Sequence, residues 1–314
     1  DDDMIGSGKR HDFLYDYEVG FDGAGGIQAL DLVLASRCGL SADLSGAVND
    51  RALFHCDNAY FLPQVRIVSH RCRTNTVSST AFRGFGGPQG MFAAEGESAA
   101  IARRLGLDAL DVRKRNLYGP APRDETHYGM ALKDNVLPEL IAELEHRSDY
   151  WPRREAVRRF NASSPVFKKG LALTPVKFGI AYTSLPMNQG GALVHVYTDG
   201  SVHLNHGGTE MGQGLMIKVA QMVAEELQVD LERVHITHTS TGKVPNTSPT
   251  AASSGTDING EAARAACRTI KERLVRFCVE AYRVRPEEVS FARSQVTVGP
   301  KVFSFTQLVR DAYA

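Results

Sequence analysis

Alternating apolar residues around two tight turns are the feature that most restricts how this chain can fold. Apolar positions alternate at 15–21, a glycine-rich turn follows at 23–26, and alternation resumes at 30–34. A second pair of alternating segments, 194–198 and 202–204, flanks Asp199-Gly200, a dipeptide typical of two-residue β-hairpin turns. Both halves of the chain are therefore predicted to contain antiparallel hairpins.

Helix-forming segments separate these hairpins from further short strands. Good helix formers follow Pro88 through 91–105, and apolar residues recur at helical spacing within 137–144, 215–223 and 263–277. An apolar segment at 170–183 is predicted to be a strand. This order favours an α+β fold of two mixed sheet-and-helix domains over a doubly wound parallel sheet. The polar stretch at 149–167 predicts a boundary between domains 1–150 and 151–314.

Charge and cysteine content exclude several classes of function. Lys+Arg and Asp+Glu both number 36, so the formal net charge is zero and nucleic acid is not a predicted partner. No apolar run is long enough for a membrane span. The five cysteines lack C-x-x-C spacing, which argues against a zinc or iron–sulfur site and suits a reducing cytoplasm.

Three loops rich in Gly, Ser and Thr each precede a predicted helix, at 80–87, 206–214 and 247–257. Unpaired N–H groups at a helix N-terminus attract anions and polar groups, so the three loops together favour ligand binding. Each loop alone fits an ordinary helix cap equally well. The spacing of Gly84, Gly86 and Gly90 departs from the dinucleotide fingerprint, and no P-loop, H-E-x-x-H or G-x-S-x-G motif is present.

Residues 80–90, Thr-Ala-Phe-Arg-Gly-Phe-Gly-Gly-Pro-Gln-Gly, resemble a segment of the molybdenum hydroxylases, and specifically of their xanthine dehydrogenase and oxidase branch. The resemblance continues in family order through 50–55, 114–118, 177–180, 207–215 and 244–253. It implies a large-subunit fragment that binds molybdenum–molybdopterin, with the metal held by the pterin dithiolene and not by protein side chains.

The resemblance also implies an activity and partners. The family hydroxylates a purine carbon, here xanthine or hypoxanthine on the way to uric acid. Electrons then pass through [2Fe–2S] clusters and FAD, on other parts of the complex, to NAD. A cytoplasmic enzyme assembled as a dimer of heterodimers is expected. An aldehyde or other N-heterocycle hydroxylase of the same family is the alternative, and the final acceptor and the nucleotide form of the pterin stay open.

The site residues implied by the resemblance fall into two groups. Arg51 matches the guanidinium that meets the purine and stabilises developing negative charge, whereas aldehyde oxidases have an apolar residue there. Phe85 matches the ring that stacks on the purine, Tyr182 stands where the family usually has Phe, and Thr183 borders the substrate. The positions matching cofactor contacts are Phe82, Arg83, Met211, Gly212, Gln213, Thr250, Ala251, Ala252 and Ser253.

Simpler interpretations remain for these residues: Phe82 and Phe85 as core aromatics, and Arg51 as a surface cation in an ion pair. The family's catalytic Glu, in a G-E-P-P motif, and its F-G-G-K-E segment do not occur in the chain, which starts with Asp1-Asp2-Asp3. An internal fragment that is inactive and without cofactor on its own is therefore expected. A non-catalytic structural module is the competing hypothesis.

Overall fold

The computed structural model describes residues 2–243 and 247–314. Its contacts divide the chain into two compact units, Asp1–Gly179 and Ile180–Ala314, which are described separately.

The first unit is built on a three-stranded sheet in the order β1-β2-β3. Strands β1 (Phe13–Phe21) and β2 (Ile27–Gly39) form the predicted antiparallel hairpin, and β3 (Val65–Arg73) runs parallel to β2. Asp22 accepts hydrogen bonds from the N–H groups of Ala24 and Gly26, which fixes the turn. Alternate residues of β2 are buried, as its sequence pattern requires.

Helices cover this sheet and extend the unit. They are α1 (Asp2–Gly6), α2 (Ser45–His55), α3 (Gly87–Leu105), α4 (Ala109–Asn116), α5 (Leu137–Arg147) and α6 (Tyr150–Ser163). Leu30 and Leu32 of β2 share a core with Ala52 of α2 and Ile101 of α3. The sheet and the α2–α3 pair thereby hold the loop before α3 in place.

The first unit extends beyond the boundary expected at residue 150. Tyr150 is buried and its hydroxyl donates to Asp108 Oδ1, while Arg154 pairs with Asp108 Oδ2 at 2.7 Å. These polar contacts attach α6 to the first unit although its sequence is largely polar, and the compact unit ends at Gly179. The assignment of domains 1–150 and 151–314, made from the sequence, stays a prediction.

The strand predicted at 170–183 is wrong, because this segment has no regular structure. Its backbone groups are bound by side chains of α2 and the following turn: Asn58 donates to Pro175 O and accepts from the Lys177 N–H, and His55 accepts from the Gly179 N–H. Side chains thus take the place of a partner strand.

The second unit contains a sheet in the order β4-β5-β6, formed by β4 (Ala192–Val196), β5 (Val202–His206) and β6 (Val234–Ile236). The β4–β5 hairpin is antiparallel, as predicted from Asp199-Gly200, and β6 runs parallel to β5. Helices α7 (Leu215–Leu227) and α8 (Gly255–Tyr282) bury Val219, Val223 and Cys267 in a common core with this sheet.

An antiparallel sheet of β7 (Val289–Ala292), β8 (Gln295–Val298) and β9 (Lys301–Ser304) follows, and α9 (Phe305–Tyr313) ends the unit. Val296 of β8 and Phe305 and Leu308 of α9 are buried in the same core as α7 and α8. Among the described residues, no helix is both long and apolar enough to cross a membrane.

Candidate functional site

Arg51 lies on α2 and is buried, with 5% of its surface exposed. Its guanidinium donates from Nη1 to the carbonyl oxygen of Gly179 at 2.6 Å and lies 5.3 Å from the Phe178 ring centroid. Burial lowers the pKa of Arg51, and the Tyr128 phenol acts in the opposite direction. The interpretation of Arg51 as an exposed ion-pairing cation is therefore wrong.

His55 follows Arg51 by four residues and contacts the same backbone. Its Nδ1 lies 3.0 Å from the Arg51 carbonyl oxygen, and its Nε2 lies 3.0 Å from the Gly179 nitrogen. Since the Gly179 N–H must donate, Nε2 is the acceptor and the ring proton sits on Nδ1. His55 lies in the 50–55 motif but is not among the site residues that the resemblance implies; its i, i+4 spacing from Arg51 is the sequence signal that could have identified it.

The residues after α2 fix the segment 175–179 further. Lys177 Nζ lies 2.6 Å from Asp57 Oδ2, which also accepts a hydrogen bond from the Tyr118 hydroxyl at 2.6 Å. Burial and the Asp57 carboxylate raise the pKa of Tyr118. The ion pair of Lys177 with Asp57 fixes the backbone next to Phe178 and Gly179. The positions of the groups around Arg51 therefore depend on tertiary contacts.

The loop before α3 packs directly on α2. Gly86 has φ +96°, and a Cβ there would overlap the carbonyl oxygen of Val48. A Cβ at Gly87 would lie 2.6 Å from a carbon of the Phe178 ring. Glycine is needed at position 86 for the left-handed turn and the contact with α2, and at position 87 for the close approach to Phe178. The structure thereby places the turn containing Phe85, itself at φ +49°, against the part of α2 that carries Arg51.

The other predicted residues of this loop lie outward. Phe82 is 57% exposed, so its interpretation as a core aromatic is wrong. The guanidinium of Arg10 stands over its ring at 4.3 Å and donates to the Arg83 carbonyl oxygen at 2.7 Å. Phe82 and Arg83 are thus accessible, whereas Phe85 is half-buried.

In the second unit, the loop before α7 is folded around the Glu210 carboxylate. Oε1 accepts from the N–H groups of Gly212 and Gly214 at 2.8 and 2.9 Å, and Oε2 accepts from Met216 at 3.0 Å. These backbone bonds lower the pKa of Glu210. The expectation that this helix start offers unpaired N–H groups to an anion is corrected, because a carboxylate of the chain occupies them.

The predicted cofactor residues of this loop differ in what they present. Met211 is 67% exposed, and Gly212 is exposed beside it. The Gln213 amide turns back to the loop, accepting from the Met211 N–H and donating to the Thr209 carbonyl at 2.9 Å. Gln213 is exposed as well, but its amide is already hydrogen-bonded within the loop.

The loop before α8 lies next to the loop before α7. The Thr209 N–H donates to Thr250 Oγ1 at 2.8 Å. Ala252 and Ser253 both have positive φ, at +56° and +57°. Non-glycine residues in this conformation are strained and concentrate at functional sites. Val244, Pro245 and Asn246, at the start of this motif, lie outside the described residues.

Residues 181–183 join the same cluster. Ala181, at φ +78°, donates its N–H to the Ala252 carbonyl at 2.8 Å, and the Tyr182 hydroxyl donates to the Pro249 carbonyl at 2.8 Å. Thr183 is exposed. The second unit therefore brings its predicted residues together: Tyr182, Thr183, Met211, Gly212, Gln213, Thr250, Ala251, Ala252 and Ser253.

The molybdopterin cofactor-binding domain family matches the chain at residues 1–117 and again at 143–314, the second match covering more than half of it. The chain belongs to this family. The resemblance found in the sequence is confirmed, and molybdopterin is the cofactor it implies.

Xanthine dehydrogenases and a nicotinate hydroxylase are similar to this chain over most of its length. Xanthine dehydrogenase/oxidase of Mus musculus is 49% identical over 277 residues, 88% of this chain and 21% of the relative. Xanthine dehydrogenase of Drosophila subobscura is 46% identical and nicotinate hydroxylase of Emericella nidulans is 46% identical, each over 87% of this chain. The chain thus spans about a fifth of the length of these relatives.

Solved structures confirm the α+β fold. Quinoline 2-oxidoreductase from Pseudomonas putida superimposes with a TM-score of 0.80, at 22% identity over 99% of this chain and 41% of its own. An aldehyde oxidoreductase from Desulfovibrio desulfuricans gives 0.69, at 23% identity over 85% of this chain and 29% of its own. At this identity, the likeness shows the fold alone.

The second-unit loops fit a molybdopterin. A pterin presents ring amide and amine groups, and the loops supply hydroxyl, amide and peptide groups that can hydrogen bond to them. Beneath Gly208, two buried atoms, His206 Nε2 and Asn259 Oδ1, have no hydrogen-bond partner among the described residues. Polar atoms left unpaired in this way favour a polar guest or an ordered water nearby.

No cluster of three or more His, Cys, Asp or Glu side chains in the described parts of the chain is arranged to hold a metal ion.

Proposed function

We propose that this chain is part of a molybdenum hydroxylase that acts on purines, with xanthine and hypoxanthine as substrates. The observation that carries the proposal is the buried guanidinium of Arg51, held by Gly179 O beside the turn that contains Phe85. The identity of 46–49% to xanthine dehydrogenases supports it. Since the chain spans about a fifth of those relatives, the activity is proposed for the whole protein.

Arg51 would orient the purine and stabilise negative charge that develops on its ring during reaction. A buried guanidinium is suited to this task because the surrounding protein screens its field less than water does. Phe85 would stack on the purine ring, and Tyr182 and Thr183 are proposed as further substrate contacts. Arg51 is the proposed catalytic residue of this chain.

We propose that the residues matching the family's cofactor contacts, Phe82, Arg83, 211–213 and 250–253, bind molybdopterin in the whole protein. When bound, the cofactor supplies the molybdenum centre at which the substrate is hydroxylated. The protein groups here bind and orient it through hydrogen bonds. The carboxylate expected from the family resemblance is not among these 314 residues, so we propose that the isolated chain does not turn over substrate.

The remaining expectations stay proposals for the whole protein. Electrons would pass to [2Fe–2S] clusters and FAD on other parts of the complex, and the assembly would be a dimer of heterodimers. A cytoplasmic location accords with five cysteines that are all unpaired.

A second candidate is a hydroxylase of another N-heterocycle, favoured by the nicotinate hydroxylase relative at 46% identity. Tyr182 keeps an aromatic ring at its position, and its hydroxyl is bound to the Pro249 carbonyl. The ring is thus available as a substrate contact in either case.

The test is Arg51→Ala in the whole enzyme, with kcat/KM measured for xanthine, hypoxanthine, nicotinate and an aromatic aldehyde. Loss of a charged group that stabilises the transition state should reduce purine turnover by about 100-fold or more, with molybdenum content unchanged. Arg66→Ala, which removes an exposed arginine paired with Asp31, is the matched control. Unchanged xanthine turnover in Arg51→Ala, or preference for nicotinate in the unsubstituted enzyme, would reject purine specificity.

A further inference from the structure

The two backbone polar groups of Gly179 are bound by two different side chains of one helix. The Gly179 N–H donates to His55 Nε2 at 3.0 Å, and the Gly179 carbonyl accepts from Arg51 Nη1 at 2.6 Å. His55 also donates from Nδ1 to the Arg51 carbonyl at 3.0 Å. Three hydrogen bonds therefore form a closed ring through Arg51, His55 and Gly179.

This ring requires one protonation state of His55. The same imidazole must donate at Nδ1 and accept at Nε2, which only the neutral Nδ1–H tautomer does. A protonated ring would present an N–H to the N–H of Gly179, and the bond would be lost. His55 is buried and its ring lies 5.0 Å from that of Phe178, whereas Gly179 is exposed, so the cost of the lost bond falls mainly on the buried imidazole.

The charged groups around His55 come from α2, the turn after it and the segment 175–179. Burial lowers the pKa of His55, the hydrogen bond to the Arg51 carbonyl raises it, the charges of Arg51 and Lys177 lower it, and the charge of Asp57 raises it. Burial is the largest of these influences, so the pKa lies below 6.5. The neutral ring is thus the form expected near pH 7.

We infer that His55 is a positioning residue for Arg51: it fixes the Gly179 backbone that holds the guanidinium, and so sets the direction in which Arg51 meets substrate. This inference rests on the proposed role of Arg51. His55 itself need not touch the purine.

Two substitutions separate the functions of the two ring nitrogens. The Gln side chain of His55→Gln can place an oxygen near the position of Nε2, so it can accept the Gly179 N–H and does not titrate. The shorter side chain of His55→Asn retains a donor near Nδ1 but leaves the Gly179 N–H without its acceptor. The two variants differ by one methylene and are matched in chemistry.

In the whole enzyme, His55→Asn should raise KM for xanthine and the dissociation constant of a purine ligand by about tenfold, the equivalent of one lost hydrogen bond. The value of kcat should fall less, and molybdenum content should not change. His55→Gln should restore both constants to within about threefold. On the acid side of pH 6.5, the fall of kcat/KM with pH should be less steep in His55→Gln than in the unsubstituted enzyme, because one titrating group is removed.

Arg51→Ala, measured in parallel, distinguishes the failure of this inference from that of the proposed function. If Arg51→Ala abolishes xanthine turnover but His55→Asn binds purine normally, the positioning role is wrong. If neither substitution affects turnover, the proposed function is wrong, and the inference that rests on it has no basis. Should His55→Asn not fold, the pH profile decides: an acid limb that persists unchanged in His55→Gln would overturn the inference.

Discussion

Around Arg51, in the first unit, buried side chains bind backbone groups that are distant in sequence: His55 and the Gly179 N–H are 124 residues apart. In the loop before α7, in the second unit, exposed residues bind neighbours within a few positions, as Glu210 binds Gly212 and Gly214. The first arrangement depends on the packing of its whole unit. The second is a local structure placed at the end of a helix.

This difference predicts unequal responses to substitution. A buried polar group that loses its partner pays the full cost of its desolvation, whereas an exposed one regains water. Changes near Arg51 should therefore affect the stability of the first unit. Changes in the loops of the second unit should act locally and leave its core, around Val219 and Val223, intact.

The largest effect is expected for Gly86→Ala. Its φ of +96° strains any other residue, and its Cβ would overlap the carbonyl oxygen of Val48 on α2. Neither the helix backbone nor the turn can move without separating α2 from α3. We expect a loss of more than about 4 kcal/mol in the free energy of unfolding, measured by urea denaturation.

Two matched substitutions test the cause. Gly212→Ala, at φ +92° in the second-unit loop, meets no atom within 4 Å and should cost about 1–2 kcal/mol through backbone strain alone. Gly96→Ala, in open space within α3, should stabilise by about 0.5–1 kcal/mol. Equal losses for Gly86→Ala and Gly212→Ala would show that packing around Arg51 is no tighter than in the exposed loop.

A smaller effect of opposite sign is expected for Glu97→Gln. Glu97 is buried on α3, its Oε1 has no partner among the described residues, and burial raises its pKa from 4.5 to about 8. Between these values the unfolded chain releases a proton that the folded protein keeps. The stability associated with Glu97 is therefore complete below pH 4.5 and is lost as pH rises through 8.

Glu97→Gln removes this titration, so its free energy of unfolding should gain on that of the unsubstituted protein as the pH rises. The difference between the two proteins should be about 3 kcal/mol larger at pH 8 than at pH 5. Urea denaturation at the two pH values measures the difference. The exposed Glu18→Gln is the control and should change the free energy of unfolding little at either pH. A Glu97→Gln gain that is the same at both pH values would rule out a buried neutral carboxyl.

What the sequence could predict follows the same division between local and distant contacts. The hairpins at β1–β2 and β4–β5 and the start of α3 beside Pro88 are set by nearby residues, and the structure has them where the alternation and turn signals placed them. The family resemblance, which also relies on short contiguous motifs, is confirmed.

What a single sequence does not show is the contact between distant segments. The apolar pattern at 170–183 predicts a strand, but Asn58 and His55 bind its backbone groups instead. The boundary near 150 stays a prediction, and the contacts of Asp108 with Tyr150 and Arg154 are likewise visible only in the structure. The i, i+4 spacing places His55 beside Arg51, but the contact of His55 with Gly179, 124 residues away, shows only in the structure.

The smallest effect, and the most local, is expected for Glu210→Ala. Three N–H groups at the start of α7 would lose their acceptor, so the amides of Gly214 and Met216 should exchange with solvent about tenfold faster, while that of Val223 should be unaffected. The lowered pKa of Glu210 means that its contribution is present above pH 4.5 and is lost as pH falls below that value.

Hydrogen exchange followed by mass spectrometry or NMR measures this directly, with the exposed Glu232→Ala as the control. Cooperative unfolding of the second unit should keep nearly the same urea midpoint, because Glu210 is exposed and its carboxylate accepts from backbone N–H groups at the start of the helix. If Glu210→Ala instead lowered that midpoint as strongly as Gly86→Ala lowers that of the first unit, the loop before α7 would be part of the core, and the contrast between the two regions would not hold.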